Sequence, residues 1–253
     1  MIICKLKEVH ERVKHWSFQP FSLRIIAETN AFSHGAFVFI FYEQKREHMY
    51  KESRNYENVQ KAIFAGEGKY QIPKLEPVHY EGCDFIGFNY ASSTKEREDK
   101  GIHFFLDDYQ FTRLWTKIDT YIPMLQQYKY VLTPDYSLFT DFPKALQIYN
   151  HFRKHWIGAY MQMHGITVIP TIGWSDQDSF EWCFDGEPVG GCVAVSSVGC
   201  MQNKESRAIF IEGYREMMKR IKPTQIIFYG IVPDECEGNI INVDSFSTKF
   251  KKG

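Results

Sequence analysis

The stretch YVLTPDYSLFTDFPKALQIYNHFRKHWIGAYMQMHGITVIP, residues 130–170, reads as a buried strand, a polar loop, a long amphipathic helix and a second buried strand. Tyr130 to Leu132 and Ile166 to Ile169 are continuous apolar runs, the pattern of strands covered on both faces. Between them, Phe142 to His164 places Ala145, Ile148, Phe152, Trp156, Ala159, Tyr160 and Met163 on one helical stripe. Asp141 is positioned to cap this helix, Pro143 falls in the first turn, where its missing N–H costs nothing, and Gly165 ends it. Two buried strands joined by such a helix make a right-handed crossover, and therefore a parallel sheet.

The same alternation continues on both sides. Further strands are expected at Phe85 to Phe88, Ile102 to Leu106, Cys192 to Val195 and Gln225 to Tyr229, with Ile240 to Val243 as a last edge strand. Further crossover helices are expected over Phe111 to Tyr128 and Glu205 to Ile221. Six main strands and three long helices fall short of an eightfold barrel, which needs about 250 residues. The expected class is α/β, a mostly parallel sheet with crossover helices that is either an open sheet or a partial barrel. Upstream, Ser22 to Ala27 and Ala36 to Tyr42 read as a hairpin and Asn55 to Ala65, stopped by Gly66, as a short helix. The prolines at 73 and 77 mark a connector, so the expected division is a small α+β segment over 1–75 and an α/β domain over 76–253.

Composition narrows the function classes. The 253 residues are 44% hydrophobic and 24% charged, with 30 Lys plus Arg against 31 Asp plus Glu, which excludes disordered, collagenous and coiled-coil chains. Charge is unevenly divided: residues 1–75 hold 12 basic and 8 acidic side chains, and the remainder holds 18 and 23. That surplus is too small to mark a nucleic-acid-binding face, and no helix-turn-helix pattern accompanies it. No apolar run approaches the roughly 18 residues of a membrane span, and the charged start is no signal peptide. The six cysteines lack any two-residue-spaced pair, so a reducing, cytoplasmic setting without a zinc knuckle is expected.

In parallel α/β folds, ligands bind beyond the carboxyl ends of the strands. That rule selects Asp107 and Asp108 after the Ile102 strand; Thr133, Asp135 and Ser137 after the Tyr130 strand; Thr171, Trp174, Ser175 and Asp176 after the Ile166 strand; and Ser196, Ser197, Gly199 and Cys200 after the Cys192 strand. Carboxylates gathered there suit Mg²⁺ or another divalent cation, held by Asp107 and Asp135, or general acid and base work by Asp135 with Asp107 or Asp108. Trp174 and Tyr229, with Tyr109 and Tyr136 near the same mouth, offer aromatic faces to a ligand. Ser196, Ser197 and the Gly199 backbone, between a strand and a helix start, offer donors to a phosphate. Against this, Asp108, Asp141, Ser175 and Asp176 stand where helix caps stand, and neither the phosphate-loop nor the dinucleotide glycine pattern is present. Asp135 is the strongest single candidate, because Asp141 is the more natural cap.

His151 and His155 have the spacing at which two helical imidazoles share a metal, but Phe152 replaces a catalytic Glu, and Arg153 and Lys154 oppose a cation. The flank of an amphipathic helix is the expected place for both. His103 reads as a hydrogen-bonded core histidine. Cys200 is the one cysteine placed to act as a nucleophile, through a helix start that would lower its pKa.

Several of these segments, His103 to Tyr109, Pro134 to Ser137, Gln147 to Tyr160, Ile169 and Pro170 with Trp174, Phe180 to Gly186, Val193 to Gly199, and Tyr229 with Gly230, recur in one order and spacing. Together they resemble an uncharacterised domain-of-unknown-function family of bacteria, phages and mobile elements, over about Pro77 to Gly230. The resemblance implies a phage or mobile-element setting and carries no activity with it. Two functions are expected from residues and resemblance together. One is a metal-assisted hydrolase or transferase whose partner is a small phosphorylated ligand, a nucleotide or phosphosugar, or a nucleic-acid end. The other is a non-enzymatic factor that docks host defence or replication machinery through residues 1–75.

Overall fold

In the computed structural model the described residues are 57–243, within a compact unit spanning Tyr56–Gly253. The chain opens on a short antiparallel pair, β1 (Gly66–Glu67) and β2 (Ile72–Pro73). Seven parallel strands follow: β3 (Asp84–Gly87), β4 (Lys100–His103), β5 (Tyr130–Leu132), β6 (Val168–Ile169), β7 (Cys192–Ser196), β8 (Gln225–Tyr229) and β9 (Ile240–Val243). They form a four-stranded sheet β3-β4-β5-β6 and a three-stranded sheet β7-β8-β9. A parallel bridge at Thr171 and Ala194 links the two, where Ile172 N–H donates to Ala194 O and Ala194 N–H to Pro170 O, both at 2.8 Å. Strand order in space is thus strand order in the chain, and all seven carboxyl ends share one edge.

The sheets curl toward each other. Tyr229, at the end of β8, stacks on Phe105 just past β4 at 4.7 Å between ring centroids. At the opposite edge the Gln225 side chain donates to Tyr80 O at 2.7 Å and accepts from Tyr80 N–H at 2.9 Å, while Cys192 N–H donates to Val78 O at 2.8 Å. Among the described residues no ladder joins β9 to β3, so the arrangement is α/β without a closed barrel, with a small antiparallel pair ahead of it.

The crossover helices are α1 (Thr112–Thr116), α2 (Ile118–Leu125), α3 (Lys144–Met163) and α4 (Lys204–Ile221). The single helix expected over Phe111 to Tyr128 is broken at Lys117, whose φ of −138° leaves the helical region. The break places Pro123 within two turns of a new start, where its ring and missing N–H disturb less than in a long helix interior. Helix α3 starts after Pro143 without a side-chain cap, so Asp141 does not cap it. Gly165, at φ +77°, closes its far end by donating to Gln162 O at 2.9 Å.

The expected hairpin at Ser22 to Ala27 and Ala36 to Tyr42 lies outside the described residues. The helix expected over Asn55 to Ala65 is, in its described part, a turn followed by extended chain, with Lys61 N–H donating to Asn58 O at 2.9 Å. Long-range contacts override its weak helical pattern. Ala62 O accepts the Trp156 indole N–H at 3.0 Å, and Phe64 meets the Trp156 ring edge-on at 5.8 Å. Further along, Leu75 N–H donates to Gly186 O at 2.9 Å, and Glu76 exchanges two hydrogen bonds with the Gln162 side chain. Residues 62–76 therefore lie along α3 and cover a face that the sheet does not reach.

Candidate functional site

The loop after β5 puts Asp135 at the carboxyl edge. Its position is fixed from both sides. Thr133 is buried, its Oγ1 accepting Thr171 N–H at 2.8 Å and its carbonyl accepting the Thr171 hydroxyl at 2.9 Å, which ties β5 to β6 one residue beyond their ends. On the other side Ser137 donates its hydroxyl to Asp108 Oδ1 at 2.9 Å and its N–H to the same carboxylate at 3.2 Å, while its carbonyl accepts from Asn150 Nδ2 at 2.7 Å. Gln147, fully buried on α3, donates to Phe139 O and Phe142 O at 3.1 and 2.8 Å and holds the rest of the loop.

Asp135 as a residue keeps some solvent contact, yet its carboxyl lies among dense neighbours. Desolvation pushes its pKa up to about 7, with the nearby Asp108 carboxylate adding to the rise and Lys154 opposing it. A carboxyl in that range both gives and takes protons near neutral pH. Tyr136 beside it is buried, its phenol raised above the ordinary range by desolvation, and the Arg153 guanidinium sits 3.8 Å over its ring. Cys200 also reaches this place: burial and the Asp135 charge push its thiol up to about 11. That overturns the expected activation of Cys200 by a helix start. Helix α4 begins only at Lys204, its end capped by Asn203, which accepts Ser206 N–H at 2.8 Å.

The other expected residues divide. Asp108 lies with Asp135 and Ser137, whereas Asp107 is exposed at the start of the next turn. Thr171 works as the strand clamp described above, and its carbonyl accepts from Lys154 Nζ at 2.8 Å. Ser175 is buried, donating to Gln147 Oε1 at 2.6 Å. Asp176 caps the turn at Gln177–Glu181 and pairs with Lys144 at 2.6 Å. Trp174 packs on Phe210 at 5.4 Å and against Gly213 of α4, where a Cβ would stand 2.2 Å from the indole. Ser196 Oγ accepts Val198 N–H at 3.2 Å, and Ser197 donates to Ile231 O at 2.7 Å, joining the loops after β7 and β8. Gly199 is exposed at φ +83°. Tyr229 is buried between Phe105 and His103, and His103 is the core histidine expected, its Nδ1 accepting Phe105 N–H at 3.3 Å.

Two features were not anticipated. Large exposed apolar side chains follow the carboxyl ends of five strands: Tyr90 after β3, Tyr109 after β4, Phe139 after β5, Val198 after β7 and Ile231 after β8. The strand-end rule could have found them, since each lies in a loop that it selects. The second is a buried cluster under the mouth. Lys154 Nζ lies 2.7 Å from Glu187 Oε1, which also meets His155 Nε2 at 2.9 Å; His155 and His151 sit inside the fold, not on a helix flank. Desolvation works to raise the Glu187 pKa, but Lys154 and His155 outweigh it and hold the carboxyl below its ordinary range. His151 is held well below the ordinary imidazole range, by burial first and then by the Lys154 and His155 charges. Nothing local marks Glu187 in the sequence.

A family model described as a domain of unknown function, DUF4417, matches residues 64–247. The Gene 1 protein of Mycobacterium phage D29 is 38% identical over 191 residues, covering 75% of this chain and 71% of that protein. The Gene 1 protein of Mycobacterium phage L5 is 38% identical over 169 residues, covering 66% and 74%. No solved structure matches.

Proposed function

The chain belongs to the DUF4417 family of unknown function, which has relatives among phage proteins, and on that premise we propose that its carboxyl-edge mouth is a ligand site with Asp135 as acid–base group. The observation that carries this reading is the Asp135 carboxyl, pushed up to about 7 beside Asp108 at the place where parallel α/β folds bind ligands. In this reading the substrate is a small phosphorylated molecule, a nucleotide or phosphosugar, or a nucleic-acid end, and the reaction is hydrolysis or transfer assisted by a divalent cation such as Mg²⁺. Asp135 with Asp108 faces the cation or the proton in transit; the exposed aromatic rings of Tyr90, Tyr109 and Phe139 supply stacking faces. The backbone N–H groups around Gly199 receive phosphate in place of Ser196 and Ser197, whose side chains already make local bonds.

The test is native mass analysis of the purified chain, followed by denaturation and quantification of metal and released small molecules. A stoichiometric phosphorylated ligand that is lost on Asp135→Asn supports the site. Equal ligand retention and turnover in Asp135→Asn sinks it. A second reading, a non-enzymatic factor that docks a host protein through the N-terminal part, is favoured by the charge split, which leaves residues 1–75 basic and the remainder acidic. Partner capture that persists without that part would count against it.

A further inference from the structure

We propose that His151, His155 and Glu187 are the protein ligands of a buried site for a transition-metal dication of the zinc type. It goes beyond the mouth reading and does not rest on it, since Asp135 is not among its ligands. One donor atom from each of the three side chains lies within 4.8 Å of the others, and all three residues are buried.

The geometry of the imidazoles argues for a metal more specifically than proximity does. His151 Nε2 lies 3.1 Å from Asp185 O, and His155 Nδ1 lies 2.9 Å from Pro73 O. A carbonyl only accepts, so those two nitrogens carry the ring protons. The lone pairs then sit on His151 Nδ1 and His155 Nε2, the two nitrogens left for a shared ligand. Metal-binding histidines are held in this way, one N–H on a carbonyl and the other nitrogen on the metal. His151 Nδ1 and Glu187 Oε2 are buried and lack a hydrogen-bond partner, which is costly for polar atoms unless something else occupies them. Two nitrogens and one carboxylate suit zinc and its neighbours, whereas calcium and magnesium demand more oxygens.

The cluster also contains its own opposing charge. Lys154 Nζ donates to Glu187 Oε1 at 2.7 Å and to Thr171 O at 2.8 Å. It occupies one carboxylate oxygen and leaves the other, Oε2, for the metal. Without a metal, His155 Nε2 and Glu187 Oε1 at 2.9 Å need a proton between them. The metal takes the place of that proton, so binding strengthens as pH rises. Being enclosed, the ion is structural: it ties α3 to the loop at Asp185 and Glu187 and, through the His155 to Pro73 bond, to β2.

The experiment unfolds the full chain and refolds it with zinc or cobalt(II), because an enclosed site loads during folding. After desalting, the wild type is expected to retain one equivalent of metal. Its thermal midpoint should rise by roughly 5–10 °C when zinc is held near a hundred times its dissociation constant. His151→Ala and His155→Ala should each lose the metal and the midpoint shift. Lys154→Met, which removes a like charge, should bind zinc about tenfold tighter or more. Should the histidine variants fail to fold, the cobalt-loaded wild type decides alone: visible d–d bands without a thiolate-to-cobalt charge-transfer band are expected from nitrogen and oxygen ligands. Absence of bound metal with an unchanged midpoint overturns the proposal, as does a thiolate band or full metal retention in both histidine variants.

Discussion

Asp135 holds a proton in the folded protein that the unfolded chain releases at much lower pH, since desolvation raises its carboxyl from the ordinary range to about 7. The sign of the linkage follows. Between the unfolded pKa, about 3.9, and 7, the native state binds more protons, so this group lowers stability as pH rises through that window. Asp135→Asn keeps the shape and removes the charge. At pH 8 the variant should be more stable than wild type by on the order of 2–4 kcal/mol, and the gap should close near pH 4. Urea unfolding of both proteins at the two pH values measures it, and an equal gap at both would show that the carboxyl is not strained by burial. A residue kept at such a cost to stability is what a functional position looks like. Asp135 was legible from the sequence because it follows a buried strand and is not the nearest cap. Glu187 was not legible, because its burial is decided by Lys154 and His155, which arrive from a different element.

At the scale of elements, strands were readable wherever both faces are covered. Tyr130–Leu132 and Gln225–Tyr229 form where their apolar runs lie, since a doubly buried strand writes its environment into every residue. Helices were read less well. The turn at Asn58 replaces an expected helix because Ala62 and Phe64 are drawn to Trp156, a contact that local periodicity does not contain. For the same reason His151 and His155 looked like flank residues: α3 is buried around most of its circumference from Lys154 to Met161, covered on one side by the chain over 62–76. The contact between α4 and the loop after β6 can be tested directly. A Cβ at Gly213 would stand 2.2 Å from the Trp174 indole, a rigid ring that cannot swing away. Gly213→Ala should gain about 1 kcal/mol of helix propensity and still be destabilised by roughly 1–3 kcal/mol net. Trp174→Leu in that background should recover part of the loss. Thermal unfolding of the single and double variants checks this, and a stabilised Gly213→Ala would disprove the close packing.

For the whole molecule, the useful boundary is not where proline spacing put it. The compact unit begins at Tyr56, and Ala62, Ile72 and Leu75 are all buried. Deletion of residues 1–55 should leave a chain with a cooperative melt within a few degrees of the full protein. Deletion of 1–75 should lower the midpoint sharply or abolish the transition, because it strips several large apolar groups from α3. Calorimetry of the two truncations distinguishes these outcomes. The docking reading is therefore tested fairly only with the shorter cut, since loss of capture after the longer one would report unfolding. Among the described residues no helix is long and apolar enough to cross a membrane.

Spatial order equal to chain order has a further consequence, which concerns synthesis. A polypeptide leaving the ribosome can lay each new strand of β3 to β9 on the edge left by the one before, with no strand inserted between two already paired. The exception is the pairing of the Gln225 amide with the Tyr80 backbone, across 145 residues, which must wait until β8 has emerged. Assembly is thus gradual along the edge and latched late, so a stalled or shortened chain would display an unpaired parallel edge to whatever chaperone or neighbour met it first.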